Sequence, residues 1–593
     1  MSLRDRQNEA DRRYYDAELN YLDQAGSDYA RLYPDRAEYL GLRDVASRDP
    51  HVERLVQSFA WLSGQIHQRL DNDFPELTHS LMELAWPHYL RPIPSLALLQ
   101  FNPRPGELDQ PQTVDRGFRV KSRRTSLEVR CHFRTVYPVR LFPLTVDDAG
   151  IAVGDDGQRR LEIRLRLLPG ADGKKIDLDG LRFFLMGEPS VTFRAYDLLR
   201  RSVSRLRLRF GRDNERVFRA PSENGVIQPV GFAEGEELLP YPGISFPGYR
   251  LLAEYFAFPE KFLFVELRDL GTLELEDGQE TFHLTFEFDR RPPDEFRPTT
   301  DNFQLHVTPI INLFAKDGKP IAVEHLRQWE HVEGDRLYPG AYEVITVDDV
   351  QALRDGEGRS RTRYPFYSFE HDPEAGGDGI FYHVTHRPGL GQNWRTELRL
   401  ISSSSDAKLP RSETLSLELT CMNGRLCSEL GVGEINTADG DLCSYAVFKN
   451  ITRPTAPVYP DLGERAPWNF ISHMALNFLS LGEATALRQI LTLYDLGGKR
   501  ANKRRIDSIL VAESQPLQRL IGGAPVCGSE LALTVDESHF ADEGDLFLFS
   551  EVLNEFFALY ASTNSFTRLR IRHSKPEKDD LECPLKIGKQ PLV

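Results

Sequence analysis

Phe246-Pro-Gly-Tyr-Arg-Leu-Leu-Ala-Glu-Tyr-Phe-Ala-Phe-Pro-Glu-Lys-Phe-Leu-Phe-Val265 lies near the middle of the 593-residue chain, and the reading of the rest works outward from it. Pro247-Gly248 marks a turn, and residues 249–258 carry apolar side chains on almost every side at helical length. Pro259 ends this helix, because the residue before a proline avoids the α region. Phe262-Leu-Phe-Val-Glu-Leu follows as a short buried strand. A helix without a broad polar face has to be covered all round, either by its own domain or by another chain. Periodicity leaves both open.

Composition narrows the class. The chain is too long for one hydrophobic core, so three or four domains are expected. Hydrophobic content of 40% and charged content of 27% fit a globular chain. A formal charge of −16 argues against a general nucleic-acid binder, which needs a basic stripe to neutralise phosphates, and against adsorption to anionic lipid. Six cysteines make no disulfide framework at this length. The start has no apolar signal region, and the longest apolar runs, such as Leu96-Ala-Leu-Leu, fall far short of the roughly 20 residues that span a bilayer. The expectation is a cytoplasmic protein without direct membrane insertion, held at a membrane only by something else.

Residues 1–95 read as a helical region. From about Asp5 to Tyr33, Tyr15, Leu19, Leu22, Ala25, Tyr29 and Leu32 form a narrow seam of docking type. Asp49-Pro50 starts a second helix, on which Val52, Leu55, Val56, Phe59, Leu62, Ile66 and Leu70 read as one apolar face. Trp61 falls opposite, among Arg54, Gln57, Gln65 and Gln68, where either the first helix or a partner covers it. Prolines at 87, 92 and 94 close the block.

Beyond it, Leu161-Glu-Ile-Arg-Leu-Arg-Leu, Leu206-Arg-Leu-Arg-Phe and Phe282-His-Leu-Thr-Phe-Glu-Phe alternate as half-buried strands do. Residues 96–300 therefore form a strand-rich mixed domain, with a helix at about Ser190–Arg200. A second strand-rich domain follows over 301–460. After the proline-rich Thr452–Pro460, the region 461–573 is α+β. It has helices at Trp468–Leu481, Ala484–Tyr494 and Asp545–Tyr560, then the strand Phe566–Arg572. Residues 574–593 read as a polar tail. The fold class is α+β and multi-domain.

Catalytic signatures are absent. No G-x-x-x-x-G-K-[ST] occurs, and Gly389-Leu-Gly-Gln-Asn-Trp loses its last glycine to tryptophan. Gly243-Ile-Ser-Phe-Pro puts proline where a nucleophile elbow needs glycine. His383-x-x-His386 sits outside any expected helix, and Cys421, Cys427 and Cys443 are spaced too loosely for a zinc site. No cofactor is implied. Two basic features stand out: Arg500 and Arg504 with Lys499, Lys503 and Arg505, and Arg568, Arg570 and Arg572 along one face of the last strand. Each is either a solvated face or a docking site for an acidic partner. These residues describe an assembly component rather than an enzyme. The rivals are a β-rich cytoplasmic enzyme, such as a carbohydrate-active one, and a free-standing binding module.

Several long stretches, in order, resemble the TssF family (VasA or ImpG) of type VI secretion baseplate subunits. They are Tyr14-Tyr15 with Glu18-Leu19, Asp49-Pro-His-Val-Glu-Arg-Leu, Leu70-Asp-Asn-Asp-Phe-Pro-Glu-Leu-Thr, Pro87-His-Tyr-Leu-Arg-Pro-Ile-Pro-Ser and the central Tyr249–Phe264. Thr308-Pro-Ile-Ile-Asn-Leu-Phe, Leu476-Asn-Phe-Leu-Ser-Leu, Leu491-Thr-Leu-Tyr-Asp and Leu559-Tyr-Ala-Ser-Thr-Asn-Ser-Phe continue the series. After His573 no match is visible. The resemblance implies a phage-baseplate wedge-like structural subunit that pairs with a second copy of itself and binds TssG. It also implies joining TssK, TssE and the VgrG spike in building sheath and tube. By the same carry-over, the region of Leu22, Phe59 and Trp61 faces TssG. The expectation that follows is of a chain that hides its surplus apolar helical surface by clasping other subunits.

Overall fold

The computed structural model describes residues 15–16, 18–24, 27, 31, 51–64, 82–83 and 86–589, the last range without 155, 174–175, 211–213, 220–224, 242–245, 274, 276–278, 324–328, 336, 339, 355–359, 367–379, 389–393, 403–412, 441–442, 461, 463–481, 522 and 576–577. The chain divides into two compact units, Met1–Trp86 with Pro388–Asn393, and Pro87–Arg387 with Trp394–Val593.

In the first unit, positions 15–16, 18–24, 27, 31 and 82–83 are helical, as is α1, residues 51–64. Ser63 on α1 donates to the Glu18 carboxylate at 3.0 Å. Tyr29, Ile66 and Leu70 lie outside the described residues.

The second unit combines sheets, antiparallel except for one parallel pairing in the last, with helices that pack on one another. A six-stranded sheet runs Ile435–Ala438, Arg119–Arg124, Arg130–Thr135, Val307–Ile311, Leu96–Pro103, Ala446–Asn450. Its core is Leu99, Phe101, Phe133 and Ile310 with their neighbours. Strands from either side of residue 300 share this sheet, through Leu96↔Ile311 and Leu99↔Asn450. The expected boundary at 300 therefore does not separate two hydrophobic cores. A second sheet, ordered Asn214–Arg219, Val203–Phe210, Thr281–Phe288, Arg159–Leu167, Leu144–Val153, has the predicted alternation. Leu161, Ile163, Leu165, Leu206, Leu208, Phe282 and Leu284 are buried on one face. Residues between them turn outward, because successive side chains of a strand point to opposite faces.

The expected helix near 190–200 is α2, Pro189–Asp197, continued by a π-turn over Leu198–Ser202. The central helix is α3, Pro247–Ala257, with proline in its first turn. It is followed by a 3₁₀ turn at Pro259–Phe262 and the buried strand Phe264–Leu267.

Among the described residues, three further helices come from the C-terminal third: α4, Ala484–Tyr494; α5, Arg500–Asp507; and α6, Glu543–Tyr560. The helix expected at Trp468–Leu481 lies outside the described residues. The last sheet orders Ile509–Ile521, Ala524–Val535, Ser565–His573, Leu581–Glu582, with Lys586–Ile587 also on Ser565–His573. Ala524–Val535 and Ser565–His573 are parallel, as the α6 crossover between them requires. The expected polar tail is thus partly sheet: residues 581–582 and 586–587 pair with Ser565–His573.

Candidate interaction surfaces

α3 is not an interface. Tyr249, Leu251, Leu252, Ala253, Glu254, Tyr255 and Phe256 are all buried within the second unit. Tyr249 stacks on Tyr494 of α4, with centroids 4.6 Å apart and planes 4° from parallel. Its hydroxyl is hydrogen-bonded to that of Tyr560 on α6. Tyr255 packs against Phe549 of α6 at 5.9 Å, and Phe246 against Tyr560 at 4.4 Å. This corrects the expectation that the surplus apolar helical surface is hidden by other subunits: at α3 the chain covers it itself.

The same region holds a buried ion pair. Glu254 and Lys261 side chains are 1% and 2% exposed and in contact. Glu254 Oε1 also accepts from the backbone N–H groups of Leu238 and Leu239, each at 2.9 Å. Lys261 donates to the Glu236 carbonyl at 3.1 Å. A carboxylate with two N–H donors and an ammonium is fully satisfied, so the pair fastens the 236–239 strap to α3.

Apolar surface left open lies on α1. Leu55, Phe59 and Leu62 are 70%, 59% and 53% exposed, and Trp61 is 55% exposed. Tyr21, on the preceding helical stretch, is also exposed, while Tyr15 and Leu22 are half-buried. The single apolar face expected for α1 is split. Val52 and Val56 are half-buried and Ala60 and Gly64 buried, so the helix turns its smaller residues inward. Small side chains permit close helix approach, and the bulky ones at 55, 59 and 62 follow i, i+4, i+7 along a separate stripe. Trp61 is not covered by the first helix.

The arginines of the last strand are neutralised inside the unit. Arg568 pairs with Glu530 and Glu582, Arg570 reaches Glu582 at 3.1 Å, and Arg572 reaches Glu513 at 2.9 Å. Glu530 and Glu582 stand on the strands flanking Ser565–His573 and Glu513 on the strand beyond, so the row expected as a solvated face or an acidic partner's dock is ion-paired within the unit. On α5, Arg505 is buried and meets Asp545 at 2.9 Å. Lys499 donates to the Ala257 carbonyl at 2.8 Å and Asn502 to the Phe256 carbonyl at 2.9 Å. α5 thereby caps the C-terminal end of α3, whose last carbonyls have no helical partners. Arg500, Lys503 and Arg504 remain exposed.

Chemical sites fare differently. No group of three or more His, Cys, Asp or Glu that could hold a metal exists among the described residues. Burial pushes the Cys421 thiol up to about 12 and raises Cys427 as well, so neither presents a ready thiolate. His383 is buried and His386 stacks on Trp394 at 5.1 Å. Ser245 and Gly389–Asn393 lie outside the described residues. An apolar cavity of about 40 Å³ is lined by residues including His88, Leu239, Tyr241 and Tyr494. A polar cleft of about 270 Å³ is lined by Arg201, Arg290, Glu543, His573 and Lys578 with their neighbours. Lys578 there pairs with Glu543 at 2.8 Å and Arg201 with Asp197, which consumes much of the charge within the chain. No helix among the described residues is long and apolar enough to cross a membrane.

The family model "Type VI secretion system, TssF" matches residues 8–590. The type VI secretion system component TssF1 of Pseudomonas aeruginosa is 30% identical, over 94% of this chain and 96% of its own length. A chain of the TssK-TssF-TssG baseplate subcomplex, determined by cryo-electron microscopy, superposes with a TM-score of 0.78 at 33% identity, covering 91% of this chain and 99% of that one. A chain of the type VI baseplate complex gives 0.61 at 32% identity, with coverages of 98% and 100%.

Proposed function

This chain belongs to the TssF family of type VI secretion baseplate components, and from that premise we propose that it binds TssG through the exposed stripe of α1 and catalyses no reaction of its own. The observation that carries the reading is the stripe Leu55, Phe59 and Leu62, three large apolar side chains more than half exposed within two turns, with Trp61 exposed on another side of the same helix. A contiguous patch of this kind marks a protein interface more often than bare surface. The similar structure is a chain of a subcomplex of TssK, TssF and TssG, which supports TssG and TssK as partners of this chain. The half-buried Tyr15 and Leu22 of the preceding helical stretch also face TssG in this reading, whereas Tyr29 lies outside the described residues. In this reading the chain works in the cytoplasm, recruited to an inner-membrane-anchored secretion complex. It joins a second copy of itself, TssE and the VgrG spike, and supports sheath and tube. No nucleic acid and no cofactor enter.

Co-expression with the cognate TssG followed by size-exclusion chromatography tests the α1 assignment. Wild type co-elutes with TssG, whereas Leu55→Ser with Phe59→Ser elutes apart while keeping the wild-type circular dichroism spectrum. Co-elution of that double variant at the wild-type ratio would remove α1 from the interface.

A further inference from the structure

Arg500, Lys503 and Arg504 stand on one exposed stripe of α5, since positions three and four apart share a helix face. None of the three forms an ion pair among the described residues; Arg504 donates only to the Ser538 carbonyl, at 2.9 Å. Asp507, one turn further along the stripe, is exposed and makes no ion pair with them. The opposite face of α5 is fixed: Asn502, Arg505 and Ile506 are buried. These cations therefore ride on a rigid support and are not neutralised as the Arg568–Arg572 row is.

The position of Arg500 works against local stability. A helix N-terminus carries partial positive charge and favours acids, yet the first turn of α5 contains none, and Arg500 occupies its first position. Lys499 is accounted for by the α3 carbonyl it caps; Arg500 and Lys503 have no ion-pair partner among the described residues. In a chain of formal charge −16, an uncompensated basic stripe is a local contrast of the kind that orients and holds an oppositely charged partner. An anionic membrane or a nucleic acid needs a broad basic surface, and the rest of this chain repels both. We infer that the outer face of α5 docks an acidic segment of another protein.

The test uses the full chain and a fluorescein-labelled peptide of alternating glutamate and serine, followed by anisotropy at about 50 mM and about 200 mM salt. Wild type binds the peptide, and binding weakens at least about tenfold at the higher salt, as expected for a charge-dominated contact. Arg500→Glu with Lys503→Glu and Arg504→Glu loses binding, yet melts near the wild-type temperature, because the acid gained at the first position of α5 offsets the one placed in its last turn. Arg209→Glu with Arg219→Glu and Lys449→Glu changes charge equally at three exposed cations that have no ion pair among the described residues, and it leaves binding intact. Should the first triple variant melt early, the glutamine replacements at the same three positions carry the comparison. No binding by wild type, or equal loss in both sets, overturns the assignment.

Discussion

Replacing Glu254 by alanine should damage the free chain severely, because the change strips the partner from a charge that cannot reach water. Lys261 is 2% exposed, and its ammonium would keep only the Glu236 carbonyl as an acceptor. Leaving one member of a buried pair costs about 3–5 kcal/mol. The N–H groups of Leu238 and Leu239 would also lose their acceptor. Each orphaned donor costs about 1–3 kcal/mol, less any water that enters the space left behind. The terms share a site and do not add fully, so a loss of about 4–6 kcal/mol is expected. Glu254→Gln keeps one acceptor for the backbone donors and should fall short of alanine. Glu254→Met with Lys261→Met removes both charges and should cost less than Glu254→Ala alone, since an apolar pair of similar volume often replaces a buried ion pair with little penalty. Urea unfolding followed by circular dichroism, with no partner present, reads all three. A loss below about 1 kcal/mol for Glu254→Ala would refute the reasoning, as would a double variant worse than that single one.

His306 should give the fold an acid-side weakness. It is buried at a left-handed backbone position (φ 59°), and its Nε2 accepts from the Phe142 N–H at 3.0 Å, which requires the neutral ring. Burial pushes its pKa down from 6.5 to about 3, so its stabilising contribution is complete above pH 6.5 and declines as pH falls from there towards 3. At about pH 5 the loss amounts to about 2 kcal/mol, and His306→Gln should flatten the urea midpoint between about pH 5 and 7. Gly544 lies in the first turn of α6, where an added Cβ would stand 2.1 Å from the Phe193 carbonyl oxygen. Gly544→Ala should therefore lower stability by about 1–3 kcal/mol despite alanine's better helix propensity, and thermal melting reads the outcome.

Local elements were legible where one face of an element is buried. Leu161–Leu167 and Phe566–Arg572 announce themselves by alternation, and α3 by its flanking prolines and apolar girth. The hairpin Ile509–Ile521 with Ala524–Val535 gave no such signal, because residues 513–516 and 518–520 are exposed on both faces and Pro516 interrupts the run. Such a strand has no buried side to impose a period of two. Sheet partners were not legible either: nothing near Leu96 points to Ile311 or Thr455, more than two hundred residues away. The fates of the two basic groups escape the sequence for the same reason. Glu530, Glu582 and Glu513 reach the last strand's arginines only through strand pairing, and Asp545 reaches Arg505 only through helix packing. On α1, periodicity put the large residues inward. The structure buries Ala60 and Gly64 instead, because sequence alone does not choose between two stripes when one consists of small residues.

Hydrogen–deuterium exchange of the full chain, alone and with TssG, tests most directly where this protein meets its partner. Residues 51–64 should gain strong protection when TssG is added. Residues 247–257 should be protected already in the free chain and change little, because α4 and α6 cover them. Protection that appears at 247–257 only on adding TssG, with none gained at 51–64, would contradict the account.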